Sequence, residues 1–180
     1  MEGEPVSNDT GLQFSTPAMR ILENEHRYLS YLMGQWHTAV LWFEQDNINL
    51  DEGRARLQEL RRAIMDFIIP LNKHTAKEEE HFFPLLGQYI GFEQGPLVGI
   101  QEEHREIDGY IGHFLHHTAE GTQLNSVEDI RAAARDAGEA FEVLTVHFVK
   151  EETVVFPMAE TLLSPRDRER LSGKLNTLIS

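Results

Sequence analysis

Residues 74–86 read His-Thr-Ala-Lys-Glu-Glu-Glu-His-Phe-Phe-Pro-Leu-Leu, and residues 147–159 read His-Phe-Val-Lys-Glu-Glu-Thr-Val-Val-Phe-Pro-Met-Ala. The chain thus uses one phrase twice: a histidine, a glutamate four residues on, and Phe-Pro five beyond that. The matched positions are His74, Glu78, Phe83 and Pro84 in the first copy, and His147, Glu151, Phe156 and Pro157 in the second. On a helix, side chains four residues apart stack on one face, so each copy aims an imidazole and a carboxylate at a common point. Nitrogen paired with oxygen suits Fe, Mn or Zn, and two such pairs facing each other make a metal site.

The surrounding sequence is helical throughout. Thr16-Pro17 reads as an N-cap with proline at the first helical position. Leu22, His26, Leu29, Met33, Trp36, Val40 and Phe43 then form an apolar stripe interrupted by one histidine, and Asp46–Asn49 breaks it. A second helix from about Asp51 carries Leu57, Leu60, Ile64, Phe67, Leu71, His74, Glu78, His81 and Leu85 inward. Pro70 is expected to kink it just before His74, and Gly87 with the 91–95 stretch to end it. Pro96 opens a third helix with Leu97, Ile100, His104, Ile107, Ile111 and Phe114 or Leu115 facing in. Ser126 and Asp129 have capping-box spacing for a fourth, whose stripe is Ile130, Ala134, Ala137, Phe141, Leu144, His147, Glu151, Val155 and Met158. Ser164-Pro165 starts a short charged helix packed outside the rest.

The repeat extends further, because Glu25-His26-Arg27 matches Glu103-His104-Arg105. The expected fold is all-α: an up-down four-helix bundle with a pseudo-two-fold internal repeat and a short C-terminal helix. Its expected organisation is a flexible arm over 1–15, the bundle over 16–162, and the C-terminal helix over 163–180. In that topology His26, His74, Glu78, His104, His147 and Glu151 fall in one layer, roughly 12–20 Å from one end. A purely polar network in register is the metal-free alternative, but buried charges seldom survive without a partner or a metal.

Other polar residues carry less. Asp108, four after His104, reaches the same layer as a ligand or as a carboxylate one step out; its counterpart is Ser30. His81, seven after His74, suits an access path or a polar contact near the site. His37 lies out of the layer, and His113, His116 and His117 read as a solvated face able to hold a stray surface ion. The tyrosines, Trp36 and Trp42 read as packing, and of Glu78-Glu79-Glu80 only Glu78 faces in. No catalytic residue is assigned.

Composition excludes several classes. With 30 acidic against 16 basic residues, the net charge of −14 opposes nucleic acid and anionic membranes as partners. There is no cysteine, which removes thiolate sites, iron–sulfur clusters and disulfides. No apolar run has the length of a membrane span, and no basic-then-apolar leader opens the chain, so a cytoplasmic location is expected. No appended output domain is seen, so any protein partner is expected to be a separate chain.

Over residues 17–160 the doubled phrase resembles the hemerythrin-like (HHE cation-binding) family, bacterial type. The resemblance implies an up-down bundle holding two Fe ions as an oxo- or hydroxo-bridged di-iron centre. It implies His26, His74, His104 and His147 as terminal ligands, with Glu78 and Glu151 as bridges. Oxygen-carrying members have a further histidine where this chain has Asp108. That departure favours sensing or redox handling of O2, NO or peroxide, or iron handling. Reduction of peroxide or nitric oxide, and plain O2 carriage or storage, are the alternatives. A ferritin-like centre does not fit, since Glu78-x-x-His81 has Val154 at the matching place after Glu151.

Overall fold

The computed structural model describes residues 11–180. Four long helices form the bundle: α1 (Pro17–Trp42), α2 (Leu50–Lys77), α4 (Pro96–His117) and α5 (Val127–Lys150). α2 continues through a π-helical turn, Glu78–Phe82, into α3 (Phe83–Ile90). α5 continues through a second, Glu151–Val155, into α6 (Phe156–Leu162), and α7 (Pro165–Leu175) follows. No strand occurs among the described residues, and no helix there is long and apolar enough to cross a membrane. α1 packs on α2 and α5, α4 packs on α5 and α2, and α7 lies against α1 and the first π turn.

Local chemistry sets the boundaries. The Asn49 side chain accepts the N–H groups of Asp51 and Glu52 to open α2, and Ser126 with Asp129 makes the expected reciprocal box at α5. α1 differs from expectation. Thr16 occupies the N-cap, but its side chain accepts no capping bond. The Glu160 carboxylate, 144 residues away in sequence, accepts the N–H groups of Ser15 and Thr16, each at 2.7 Å.

The π turns correct the sequence reading of both inward stripes. Phe83 N–H bonds to the Glu78 carbonyl and Phe156 N–H to that of Glu151, five residues back rather than four. Each shift falls immediately before the proline of the repeated phrase, which has no N–H to commit to either ladder. The extra residue rotates everything downstream by about 100°. Phe82, Phe83 and Leu86 are therefore buried where His81 and Leu85 were expected, and Phe156 and Ala159 where Met158 was. α2 itself runs on through buried Pro70, so the irregularity begins eight residues after that proline and beyond the expected kink, and α3 continues past Gly87 to Ile90. On α5, Ala133 and Ala140 join the core while Phe141 is half-buried.

Of the arm expected over 1–15, residues 1–10 lie outside the described residues. Residues 11–15 lie along the bundle, with Phe14 buried edge-on against Phe156 and the Gln13 and Phe14 N–H groups bonded to Glu23. α7 buries Leu171 and Leu175, and the tail beyond it buries Ile179.

Two apolar clusters fill the bundle. One runs from Leu29 and Leu71 to Ile107 and Leu144, and the other gathers Leu22, Phe82, Ile100 and Val155. On every helix the polar residue of the repeat falls between a member of each. The polar layer is thus sealed above and below by hydrocarbon.

Candidate metal centre

All six residues of the expected layer meet. His26, His74, Glu78, His104, His147 and Glu151 are each buried, with both glutamates at 0% exposure. Their donor atoms form two groups: His26, His74, Glu78 and Glu151, and then His104, His147, Glu78 and Glu151. Within each group the atoms lie within 4.8 Å of one another. The glutamates belong to both.

The distances show how they are shared. Glu78 Oε1 stands 3.0 Å from His74 Nε2 and 3.9 Å from His26 Nε2, while its Oε2 stands 3.3 Å from His104 Nε2. Glu151 Oε1 stands 2.6 Å from His147 Nε2 and 3.8 Å from His104 Nε2, while its Oε2 stands 3.0 Å from His26 Nε2. Each carboxylate therefore turns one oxygen to each histidine pair.

The outward ring nitrogens are also held. His26 Nδ1–H donates to Glu152, His74 Nδ1–H to Glu25, His104 Nδ1–H to Glu79 and His147 Nδ1–H to Glu103, at 2.8–3.1 Å. A carboxylate only accepts, so these bonds place a proton on every Nδ1 and, in the neutral ring, leave the lone pair on Nε2. Nε2 lone pairs then face carboxylate oxygens, acceptor against acceptor. Among the described residues, both oxygens of Glu78 and of Glu151, and Nε2 of His26 and His74, have no hydrogen-bond partner. Leaving so many buried acceptors unmatched costs several kcal/mol, on the order of 1–3 each. A cation at each group removes the conflict, and the donor set fits one.

Protons are the other source of positive charge. Burial alone would lower the His26 pKa, but Glu151, Glu152 and Glu78 outweigh it and raise it well above the usual imidazole value. His74 is raised against burial by Glu78 and Glu25. His104, opposed by burial but facing Glu151, Glu78 and Glu79, is pushed up to about 11. Burial would raise Glu78, yet His74, His104 and His26 hold it well below the carboxylate range. Burial and Glu78 likewise push Glu151 up, and His147 with His104 bring it down to about 2. The layer holds two carboxylates that stay ionised and demands cations opposite them.

The outer carboxylates were not singled out from sequence, although the signal was present. Glu25 and Glu103 directly precede His26 and His104, and Glu79 and Glu152 directly follow Glu78 and Glu151. Each helix places one residue inward and its chain neighbour sideways, against the histidine of the next helix. Glu79 is accordingly a partner of His104 and not simply a solvated charge. The two halves differ at one point. Lys77 Nζ donates to Glu25 at 2.7 Å and to the Thr177 carbonyl at 2.5 Å, and both side chains of that pair are buried. The equivalent Lys150–Glu103 pair has an exposed lysine.

Asp108 is exposed and belongs to neither donor group, but it borders a small cavity with His74, His104, His147, Leu144 and Phe148. The cavity offers about 10 Å³ to the centre of a water-sized guest, room for about one. Burial raises the Asp108 carboxyl, with Glu79 adding to this and His104 opposing it. His81, expected beside an access path, lines a surface groove against Asp167, Arg170 and Lys174 of α7, because the π turn rotates it off the inner face. His37 stacks on Phe141 at 3.6 Å, away from the layer. On the α1–α5 side a groove runs from Arg27, Ser30 and Thr145 down to His26 and Phe148, and the Phe148 ring lies 4.1 Å from that of His26.

Comparison with curated proteins and with solved structures gives no match. The family model for the hemerythrin HHE cation-binding domain matches residues 17–159, a span that contains all four histidines and both glutamates. A family model over this much of the chain shows the family: the chain belongs to the hemerythrin HHE cation-binding domain family.

Proposed function

We propose that this chain is a non-haem di-iron protein that binds O2 or a related small molecule, in sensing or redox handling rather than bulk carriage. The observation that carries the reading is the sharing of Glu78 and Glu151. Two histidine pairs, each able to hold one ion, have both carboxylates in common, and all four oxygens are otherwise unmatched. His26 and His74 would hold one iron and His104 and His147 the other, with Glu78 and Glu151 held by both. Bound there, a pair of irons supplies reversible one- and two-electron chemistry and open positions for a small ligand.

The chain's own residues do the rest. The four outer carboxylates fix ring orientation and raise the basicity of Nε2. Phe82, Phe83, Phe148 and Phe156 exclude water on either side of the layer. The cavity beside His104 has room for about one water-sized guest. Metal analysis with anaerobic reconstitution tests the assignment. About two irons per chain are expected, with loss on His74→Ala or His147→Ala; an iron content untouched by both substitutions overturns it.

One observation favours a second reading, reduction of peroxide or nitric oxide. Asp108 puts a carboxyl at the edge of the small cavity, the place a general acid–base group would occupy. Peroxide consumption should fall in Asp108→Asn and an O2 adduct should last longer in Asp108→His. Unchanged values in both leave binding alone as the function.

A further inference from the structure

The register that joins His104 to His147 has a consequence at the other end of α4 and α5. The two helices are antiparallel neighbours, so residues equally far from that pair in opposite directions lie level. Eleven residues before His147 is Asp136, and eleven after His104 is position 115, midway between His113 and His117. This is about 16 Å along the axis from the buried layer. The side chains complete what the register sets up. Asp136 Oδ2 stands 3.9 Å from His113 Nδ1 and 3.6 Å from His117 Nδ1, and the two rings are 5.0 Å apart. All three donor atoms lie within 4.8 Å of one another.

We propose that His113, His117 and Asp136 form a second metal site, open to solvent, for a borderline divalent ion of the Zn2+, Ni2+ or Cu2+ class. The donors match that class. Two imidazoles at i and i+4 on one helix turn plus a carboxylate is a nitrogen-rich set, which Mg2+ and Ca2+ do not favour. The spacing matches too. Ligands about 2.1 Å from a tetrahedral ion stand about 3.4 Å apart, so the observed separations close by small side-chain rotations. The rest of the coordination is left to water, since His113 and His117 are 70% and 47% exposed. His117 is the last residue of α4, so the ion sits at the negative end of that helix dipole. The Asp136 carboxylate, only 20% exposed, is the fixed member of the set. An ion there ties α4 to α5 and stabilises that end of the bundle without touching the buried centre.

Zn2+ titration calorimetry on the wild-type chain and on His113→Gln/His117→Gln tests this. Neither substitution reaches the buried layer, so any zinc taken up there counts equally in both. The wild type should bind one more equivalent than the double variant, and Asp136→Asn should weaken that equivalent at least tenfold. Excess Mg2+ should not compete, and saturating Zn2+ should raise the melting temperature of the wild type more than that of the double variant. Equal numbers of equivalents in wild type and double variant overturn the proposal, as does an Asp136→Asn affinity equal to wild type.

Discussion

Glu25 and Glu103 occupy equivalent places in the repeat, yet replacing each with alanine should have different consequences. Each carboxylate accepts the Nδ1–H of one histidine of the buried layer, His74 or His147, which the proposed centre uses as ligands. Loss of such a partner costs about 10–100-fold in metal affinity, and both variants should show it. Glu25 has a second task. It neutralises Lys77, which is 5% exposed and whose remaining partner is the Thr177 carbonyl. Removing one member of a buried ion pair costs about 3–5 kcal/mol, because the other charge is stranded. Lys150, by contrast, is 53% exposed and returns to water when Glu103 is removed, leaving about 0–1 kcal/mol for that pair. For a chain of this size the Glu25→Ala penalty corresponds to a melting temperature lower by about 6–20 °C. Urea and thermal unfolding of the metal-free proteins isolate the effect from metal binding. The double variant Glu25→Ala/Lys77→Met should recover most of the loss, since the stranded ammonium is gone. Equal stability of metal-free Glu25→Ala and Glu103→Ala, or no recovery in the double variant, would refute the reasoning.

Loading should release protons. His104, held near 11 in the metal-free layer, carries at pH 7 a proton that an ion at Nε2 displaces, and His26 and His74 are raised as well. A pH indicator in weak buffer should report this release, and affinity should fall as pH is lowered; metal uptake without proton release contradicts the assignment of Nε2. Glu160→Ala should destabilise the chain by about 1 kcal/mol at pH 7 by uncapping α1. Burial is the largest single influence on the Glu160 carboxyl and raises its pKa, but the Thr16 and Ser15 donors together outweigh it and lower it. Its contribution is therefore present above the ordinary carboxylate value and is lost as pH falls through the lowered folded one. Melting curves of wild type and variant should converge in acid, and a constant gap down to pH 2 would exclude the cap. Phe148→Ala should cost about 3–5 kcal/mol through the cavity it leaves. It should also speed chelator extraction of metal by opening the groove to His26, and an unchanged extraction rate would show that Phe148 is no barrier.

What the sequence by itself determined was the helical periodicity, the repeat and the inner six. Those are properties of spacing: His and Glu at i and i+4 must share a face, and two copies of one hairpin must put their shared faces opposite one another. The family, too, was legible in those spacings, and its model spans residues 17–159. Spacing failed at Glu78–Phe82 and Glu151–Val155, where a uniform 3.6-residue period put His81, Leu85 and Met158 inward. The π turns reset that period, and their only trace in the sequence is the Phe-Pro that closes each phrase. The outer carboxylates left only their adjacency as a trace. Glu25, Glu79, Glu103 and Glu152 sit next to inner residues, so on their own helices they point sideways and read as solvated charge. They acquire their role only when a neighbouring helix brings a histidine within 2.8–3.1 Å. The difference between the two halves belongs wholly to tertiary structure. Lys77-Glu78 and Lys150-Glu151 are the same words, and only the packing of α7 and the tail over α1 makes one lysine buried and leaves the other in water. Local spacing fixes which way a side chain points on its own helix, but what it meets there depends on chain that is distant in sequence.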